Sequence, residues 1–175
     1  MRTMNRRTFL KTAGFSALAT ALGVKVVAMA RHYPLEQLLL QLKRLPADKL
    51  SSSGQWSVSE ILQHLAQSVR YSRLGYPEAK SALFQHTAGS AALNAFAAFG
   101  NMTHPLDEPI PGAPRLTSSV PNDVAMAELV AELEQFIAWQ GELAPHFAYG
   151  SLTKQQYYGA HYLHIQNHLQ QISLS

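Results

Sequence analysis

The chain contains no cysteine among its 175 residues, which excludes disulfide bonds, thiolate metal ligands and a cysteine nucleophile. Any metal ion would therefore be bound by His, Asp, Glu or water. Charged residues are also scarce, at 14% against 47% hydrophobic residues, and this balance is typical of a folded globular chain. The length suits one domain with a sizeable core.

The first 30 residues differ from the rest of the chain. Asn5 to Lys11 (NRRTFLK) resembles a twin-arginine export signal, and an uncharged stretch from Thr12 to Val24 follows it. We expect cleavage after Ala28-Met29-Ala30, a small-x-small site, and export to the periplasm through the twin-arginine translocation machinery. A retained N-terminal anchor is the alternative, although the apolar stretch is short for a bilayer and Lys25 weakens it further.

Removing residues 1–30 reverses the sign of the net charge. This segment holds five of the fourteen Lys and Arg residues and none of the eleven Asp and Glu residues, which leaves nine bases against eleven acids. Residues 31–175, which we expect to form a single domain, also lack a basic patch interleaved with aromatic residues. We therefore expect no nucleic-acid partner and, after cleavage, no stable membrane span.

Apolar residues at intervals of three and four predict four long helices, and no segment has the alternation typical of a strand. The four expected helices cover residues 33–45, 57–74, 122–144 and 153–172. Capping boxes mark two of their starts, Ser57 with Glu60 and Thr153 with Gln156. The fold class is therefore all-α, a four-helix bundle with a long crossover between the second and third main helices.

The expected crossover has two parts. Residues 78–99 are Ala-rich, and we expect Gly89 to break them into two short pieces. Residues 101–121 contain five prolines, which exclude a continuous helix. A loop of this length inside one domain is usually functional or a covering lid.

The last predicted helix carries three histidines within an arc of about 60°. His164 and His168 lie one turn apart, which is the spacing of the two zinc-binding histidines on a zincin-type helix. His161 and His168 are separated by roughly 10 Å along the axis, too far to share an ion comfortably. The favoured pair is thus His164 with His168, and His161 is the reserve. The alternative is that these histidines line a packed bundle and are satisfied by Tyr hydroxyls or Gln amides.

Other residues could approach such a site. His104, in the Pro-rich loop, and His146, before the last helix, can reach it from outside, although a structural or exposed position is favoured for both. Glu60 is one turn before His64, but its capping box explains it more simply. Asp107 and Glu108 could supply a carboxylate from a lid, whereas solvated loop charges are commoner.

Five motifs follow one another along the chain. They are WSVSEILQHLAQS at 56–68, GYP at 75–77, HPLDEPIPGAPRL at 104–116, PHFAYGSL at 145–152 and AHYLHIQNHL at 160–169. Together they resemble a bacterial family of unknown function within the DinB-like metalloenzyme superfamily, over residues 33–172. The resemblance implies a four-helix bundle whose divalent metal is held by one histidine of the second helix and two of the last. Here these are His64, His164 and His168.

The resemblance leaves the reaction open, because one fold hosts many activities. The superfamily includes thiol-dependent transferases and isomerases, yet no thiol-cofactor signature is present here. Three imidazoles would leave an open position at which a Zn²⁺-like ion lowers the pKa of water to about 7, and they do not distinguish zinc, nickel, iron and manganese.

We expect an exported, metal-dependent hydrolase or transferase that acts on a small molecule, with no general base identified. A non-catalytic metal-binding or stress-related bundle is the alternative, and a purely structural bundle is a third interpretation. Exposed faces on two-helix hairpins also suit a homodimer.

Overall fold

The computed structural model describes residues 31–174. The elements follow in the order α1 (Leu35–Leu42), a 3₁₀ turn (Ala47–Lys49), β1 (Leu50–Ser52), α2 (Val58–Leu74), α3 (Ala82–Phe84), a π-helical turn (Gln85–Gly89), α4 (Ser90–Phe99), α5 (Asn122–Ala138), α6 (Lys154–Leu169) and β2 (Ile172–Leu174). The all-α prediction is confirmed. The predicted signal segment lies outside the described residues.

Four helices form the bundle: α1, α2, α5 and α6 pack together, and α4 lies against α6. Their apolar stripes meet in one core, because each helix places residues three and four apart on its inner face. Its fully buried members include Leu35, Leu62, Leu129, Phe136 and Ile165. Within residues 31–174, no helix is both long and apolar enough to cross a membrane.

Both predicted capping boxes are present. Ser57 accepts a hydrogen bond from the Glu60 backbone N–H, and the Glu60 carboxylate accepts one from the Ser57 N–H at 2.8 Å. Thr153 and Gln156 make the same reciprocal pair at the start of α6. Because these caps fix where α2 and α6 begin, they also fix which side chains of each helix face the bundle interior.

The prediction of no strands was wrong in a small region. β1 and β2 pair antiparallel, with Leu50 opposite Leu174 and Ser52 opposite Ile172. The last helix accordingly ends at Leu169 rather than at Ile172. Three residues per strand are too few for an alternating pattern to stand out, so this pairing had no sequence signal.

Gly89 does not break the chain as expected. Residues 82–99 run helically throughout, with a π-helical turn in the middle, and Gly89 has ordinary helical φ. A side chain at this position would be excluded, because an added Cβ would lie 2.0 Å from the carbonyl oxygen of Ala148. The glycine thus permits close packing of this helix against the turn before α6.

Asn122 is the first residue of α5 rather than its cap. Its side-chain amide donates instead to the carbonyl oxygen of Ala47, at 3.2 Å. This bond ties the start of α5 to the turn after α1.

Candidate metal centre

Three histidines from two helices meet inside the bundle. α2 contributes His64, and α6 contributes His164 and His168, which are one turn apart on the same face. Each offers one ring nitrogen to a group in which all three nitrogens lie within 4.8 Å of one another. The sequence pattern and the resemblance together pointed to this set, and the structure brings it together.

The spacing of these imidazoles suits a shared ion. The Nε2 atoms of His64 and His164 are 3.2 Å apart, and two nitrogen ligands about 2.0–2.1 Å from one tetrahedral zinc ion would be separated by roughly 3.3 Å. The three ring centres are 4.9, 4.9 and 5.0 Å apart, close to the roughly 5 Å that the same arrangement gives. The donor set therefore fits a divalent transition metal.

The ring nitrogens of the centre are poorly satisfied by protein. Neither nitrogen of buried His168, nor Nδ1 of His64, has a hydrogen-bond partner within the described part of the chain. Leaving a buried polar atom unpaired costs about 1–3 kcal/mol, so such atoms usually serve another purpose. A bound cation would use the lone pairs that the protein leaves free.

Burial also keeps these imidazoles neutral, which is the form that binds metal. Desolvation, with a smaller contribution from the nearby histidines, lowers the pKa of His64 and of His168 to about 3. The pKa of His164 is lowered well below its usual value for the same reasons. The ligands are therefore ready to coordinate without losing a proton at neutral pH.

Trp56 forms one wall of the centre. Its ring is parallel to that of His168 with centres 6.2 Å apart, and it lies 5.0 Å from the ring of His64. No sequence pattern predicted a role for Trp56 at this site. Its place immediately before the capping residue of α2 is a signal that could have found it, because a hydrophobic residue there commonly folds back on the first turn.

His104 reaches the centre from the Pro-rich loop. Its ring centre is 5.0 Å from that of His164 and 5.2 Å from that of His168. The sequence favoured a structural or exposed position, and the structure places His104 half-buried beside the centre because the loop folds inward here. Met102 and Ile110 on either side are both buried and anchor this part of the loop.

A cleft of about 310 Å³ leads to the imidazoles of His64, His104 and His164. Its walls are mainly apolar and come from the helical segment 82–99, the Pro-rich loop and the turn before α6. The wall residues include Phe84, Met102, Ile110, Phe147, Ala148 and Tyr149. Lys80 and Glu108 contribute charged side chains to the same cleft, so it offers both an acidic and a basic group.

The remaining candidates take other positions. His161 is buried one turn before His164, with its ring 4.7 Å from Phe136 and 5.3 Å from Tyr157. His146 is buried, and its Nδ1 accepts a hydrogen bond from the Ala148 N–H. Both line the cleft and lie outside the tight group of three.

Carboxylates stay out of the tight group as well. Glu60 serves its capping box. Of the two acidic residues in the loop, Glu108 lines the cleft, and both side chains are exposed.

A family model described as "Protein of unknown function (DUF1569)" matches residues 30–174. The chain belongs to this family. The predicted membership of a family of unknown function is therefore confirmed, whereas the DinB-like kinship and the export signal remain predictions. No curated protein and no solved structure matches the chain. Every histidine of the centre lies within the region that the DUF1569 model matches.

Proposed function

We propose that this DUF1569 protein binds a divalent metal ion through His64, His164 and His168 in a DinB-like bundle. We further propose that it uses the ion as a hydrolase or transferase acting on a small molecule. The observation that carries the proposal is the convergence of three neutral imidazoles, in which both nitrogens of His168 and Nδ1 of His64 have no hydrogen-bond partner among the described residues. Purely structural histidines would be paired within the protein.

The chemistry follows from the donor set. An ion held by neutral imidazoles supplies Lewis acidity and a lowered pKa for a water molecule in its remaining position. The chain itself supplies the cleft, whose apolar walls limit access of bulk water. Glu108 provides a carboxylate that can accept a proton at the cleft wall, and Lys80 provides a cation that can bind an anionic group.

The volume and the walls of the cleft also limit the size and polarity of the substrate. Its volume of about 310 Å³ is at the small end of ligand pockets, which typically measure roughly 300–1,000 Å³. The walls favour an apolar body, and the imidazoles at the base favour a polar group that can approach the ion. We therefore propose a small, largely apolar substrate with one metal-binding end, such as a carbonyl group.

Elemental analysis of the protein from Arg31 onward, purified without chelator, tests the metal site. We expect about one ion per chain, and loss of that ion in the His64→Ala, His164→Ala and His168→Ala variants. Exposed His32 and His86 provide matched controls, because His32→Ala and His86→Ala remove an imidazole that lies outside the group of three. Absence of metal from the parent protein, even after reconstitution with Zn²⁺, Ni²⁺, Fe²⁺ or Mn²⁺, would refute the proposal.

Export is a separate proposal that rests on the sequence of residues 5–30. Changing Arg6 and Arg7 to Lys should leave uncleaved precursor in the cytoplasm, because the translocation machinery reads the paired arginines. The same change at Arg44 and Arg115, which are both exposed, preserves the total charge and provides the control. Unaltered periplasmic export of the Arg6→Lys, Arg7→Lys protein would contradict the twin-arginine interpretation.

A further inference from the structure

The two nitrogens of His104 have different roles. Nδ1 lies 2.6 Å from the carbonyl oxygen of Pro105. A carbonyl oxygen can only accept a hydrogen bond, so Nδ1 must carry the proton, and the lone pair of the neutral ring is on Nε2. That Nε2 atom is buried and has no hydrogen-bond partner within residues 31–174. His104 thus presents an unused nitrogen lone pair in the protein interior.

The ring centre of His104 is about as close to those of the α6 histidines as the ring centre of His64 is, although its nitrogens lie outside the group of three. The ring of His64 lies 5.0 Å from that of His164 and 4.9 Å from that of His168. The corresponding distances from His104 are 5.0 and 5.2 Å. The α6 pair is therefore flanked by two further imidazoles, one from α2 and one from the loop.

Hydrogen bonds from α2 hold the C-terminal part of the Pro-rich loop. The Gln63 side chain donates to the Thr117 carbonyl oxygen at 2.7 Å, and the Gln67 side chain donates to that of Pro114 at 3.0 Å. Both glutamines belong to α2, the helix that carries His64. Together with buried Met102 and Ile110, these bonds restrain the loop, which reduces the conformational freedom that it loses when it contributes a ligand.

We propose that Nε2 of His104 is a fourth nitrogen donor to the ion held by His64, His164 and His168. This inference rests on the proposed function, because it requires the three-histidine site. Four imidazoles complete the shell of a tetrahedral ion, whereas an ion that accepts five or six ligands keeps positions for substrate. The loop ligand would also couple metal binding to the position of the cleft wall.

Cadmium NMR can count the donors directly. Purified protein labelled with ¹⁵N-histidine is loaded with one equivalent of ¹¹³Cd²⁺, and each coordinated nitrogen is recognised by its scalar coupling to ¹¹³Cd. We expect four coupled nitrogens in the unchanged protein and three in both His104→Ala and His104→Gln. The glutamine variant retains a polar side chain, and circular dichroism checks the fold of both. His86→Ala should retain all four couplings.

The outcomes separate the two proposals. Three coupled nitrogens in the unchanged protein, with the same three in both His104 variants, would refute the fourth donor and leave the three-histidine site intact. Absence of bound cadmium, together with no uptake of Zn²⁺, Ni²⁺, Fe²⁺ or Mn²⁺, would refute both. A competition titration gives a second readout, in which His104→Gln should weaken Zn²⁺ binding by about 100-fold or more, beyond the 10–100-fold typical of a residue that only supports a ligand. Unchanged Zn²⁺ affinity would contradict the proposal.

Discussion

α2 contributes buried polar residues to two different contacts. Near one end of the helix they form ion pairs with α5, whereas His64 faces the other histidines and keeps a ring nitrogen unpaired within the described residues. Near its C-terminal end, Arg73 and Glu132 of α5 form an ion pair with side chains only 6% and 8% exposed. Arg70 joins this network, 2.8 Å from Glu132 and 2.6 Å from Glu128. In the first half of the same helix, His64 faces the other histidines with Nδ1 unpaired.

The difference separates polar residues that serve the fold from those that serve a ligand. In the α2–α5 network each charge meets an opposite charge between packed helices, although Nε of Arg73 has no hydrogen-bond partner among the described residues. The histidine cluster has nitrogens left over, and burial makes these expensive unless something else binds them. We infer that the ion pairs stabilise the bundle, whereas the imidazoles are available to bind a cation.

The largest effect that we predict is stabilisation of the folded protein by metal bound at the histidine cluster. Zn²⁺ at about 1,000 times its Kd should raise the free energy of unfolding by about 4 kcal/mol, because it binds the folded state preferentially. Urea unfolding with and without Zn²⁺ measures this difference. In His168→Ala the increase should disappear, because the variant loses a ligand from the centre of the cluster.

The control for this prediction is His86→Ala, whose exposed imidazole lies outside the centre. It should show the same stabilisation by Zn²⁺ as the unchanged protein. Equal stabilisation of His168→Ala would show that zinc binds elsewhere, and the contrast between the two regions would then fail.

The contact between Arg73 and Glu132 should affect the free energy of unfolding when it is broken by substitution, and metal content should not change. Arg73→Met should lower the free energy of unfolding by about 3 kcal/mol, because it leaves Glu132 buried with only Arg70 beside it. Metal content should stay at its original value. Urea unfolding and elemental analysis of the same preparation provide the two measurements.

An exposed pair gives the matched control. Lys43 and Glu134 are 2.5 Å apart, with side chains 40% and 50% exposed. Lys43→Met should therefore cost less than about 1 kcal/mol, because solvent already screens both charges. Similar losses in Lys43→Met and Arg73→Met would mean that burial does not distinguish the two pairs.

Much of this arrangement could be predicted from sequence, since it depends on local periodicity. The apolar spacing placed the four bundle helices, and the Ser57–Glu60 and Thr153–Gln156 boxes placed the starts of the two helices that carry histidines. The separation of His164 and His168 then determined that their side chains share a face. The choice of His64 came from the family resemblance, because periodicity placed it only at the edge of a stripe.

The rest depends on contacts between distant parts of the chain. His104 reaches the centre because Met102 and Ile110 bury their side chains on either side of it. Nothing within the Pro-rich segment predicts that inward fold. The β1–β2 pair likewise joins residues about 120 positions apart, and Gly89 is explained only by the backbone of Ala148. Such long-range effects override local propensity.

The last effect that we predict concerns His161, which is buried beside the centre and outside the ligand group. Burial lowers its pKa to about 3, whereas an unfolded histidine titrates near 6.5. Between these values the unfolded state binds a proton that the folded state does not. Acid therefore favours unfolding, and the stability that is complete above about pH 6.5 falls as the pH drops towards 3.

For this one residue the loss should be about 1.4 kcal/mol per pH unit, or about 2 kcal/mol at pH 5. His161→Leu keeps an apolar side chain against Phe136 and Tyr157 and removes the titrating group. Urea unfolding of the metal-free protein at pH 7, 6 and 5 should thus show a shallower decline in the variant. An equal decline in the free energy of unfolding of both proteins would mean that His161 is protonated in the folded state. It would then need an acidic partner, as Arg70 and Arg73 have.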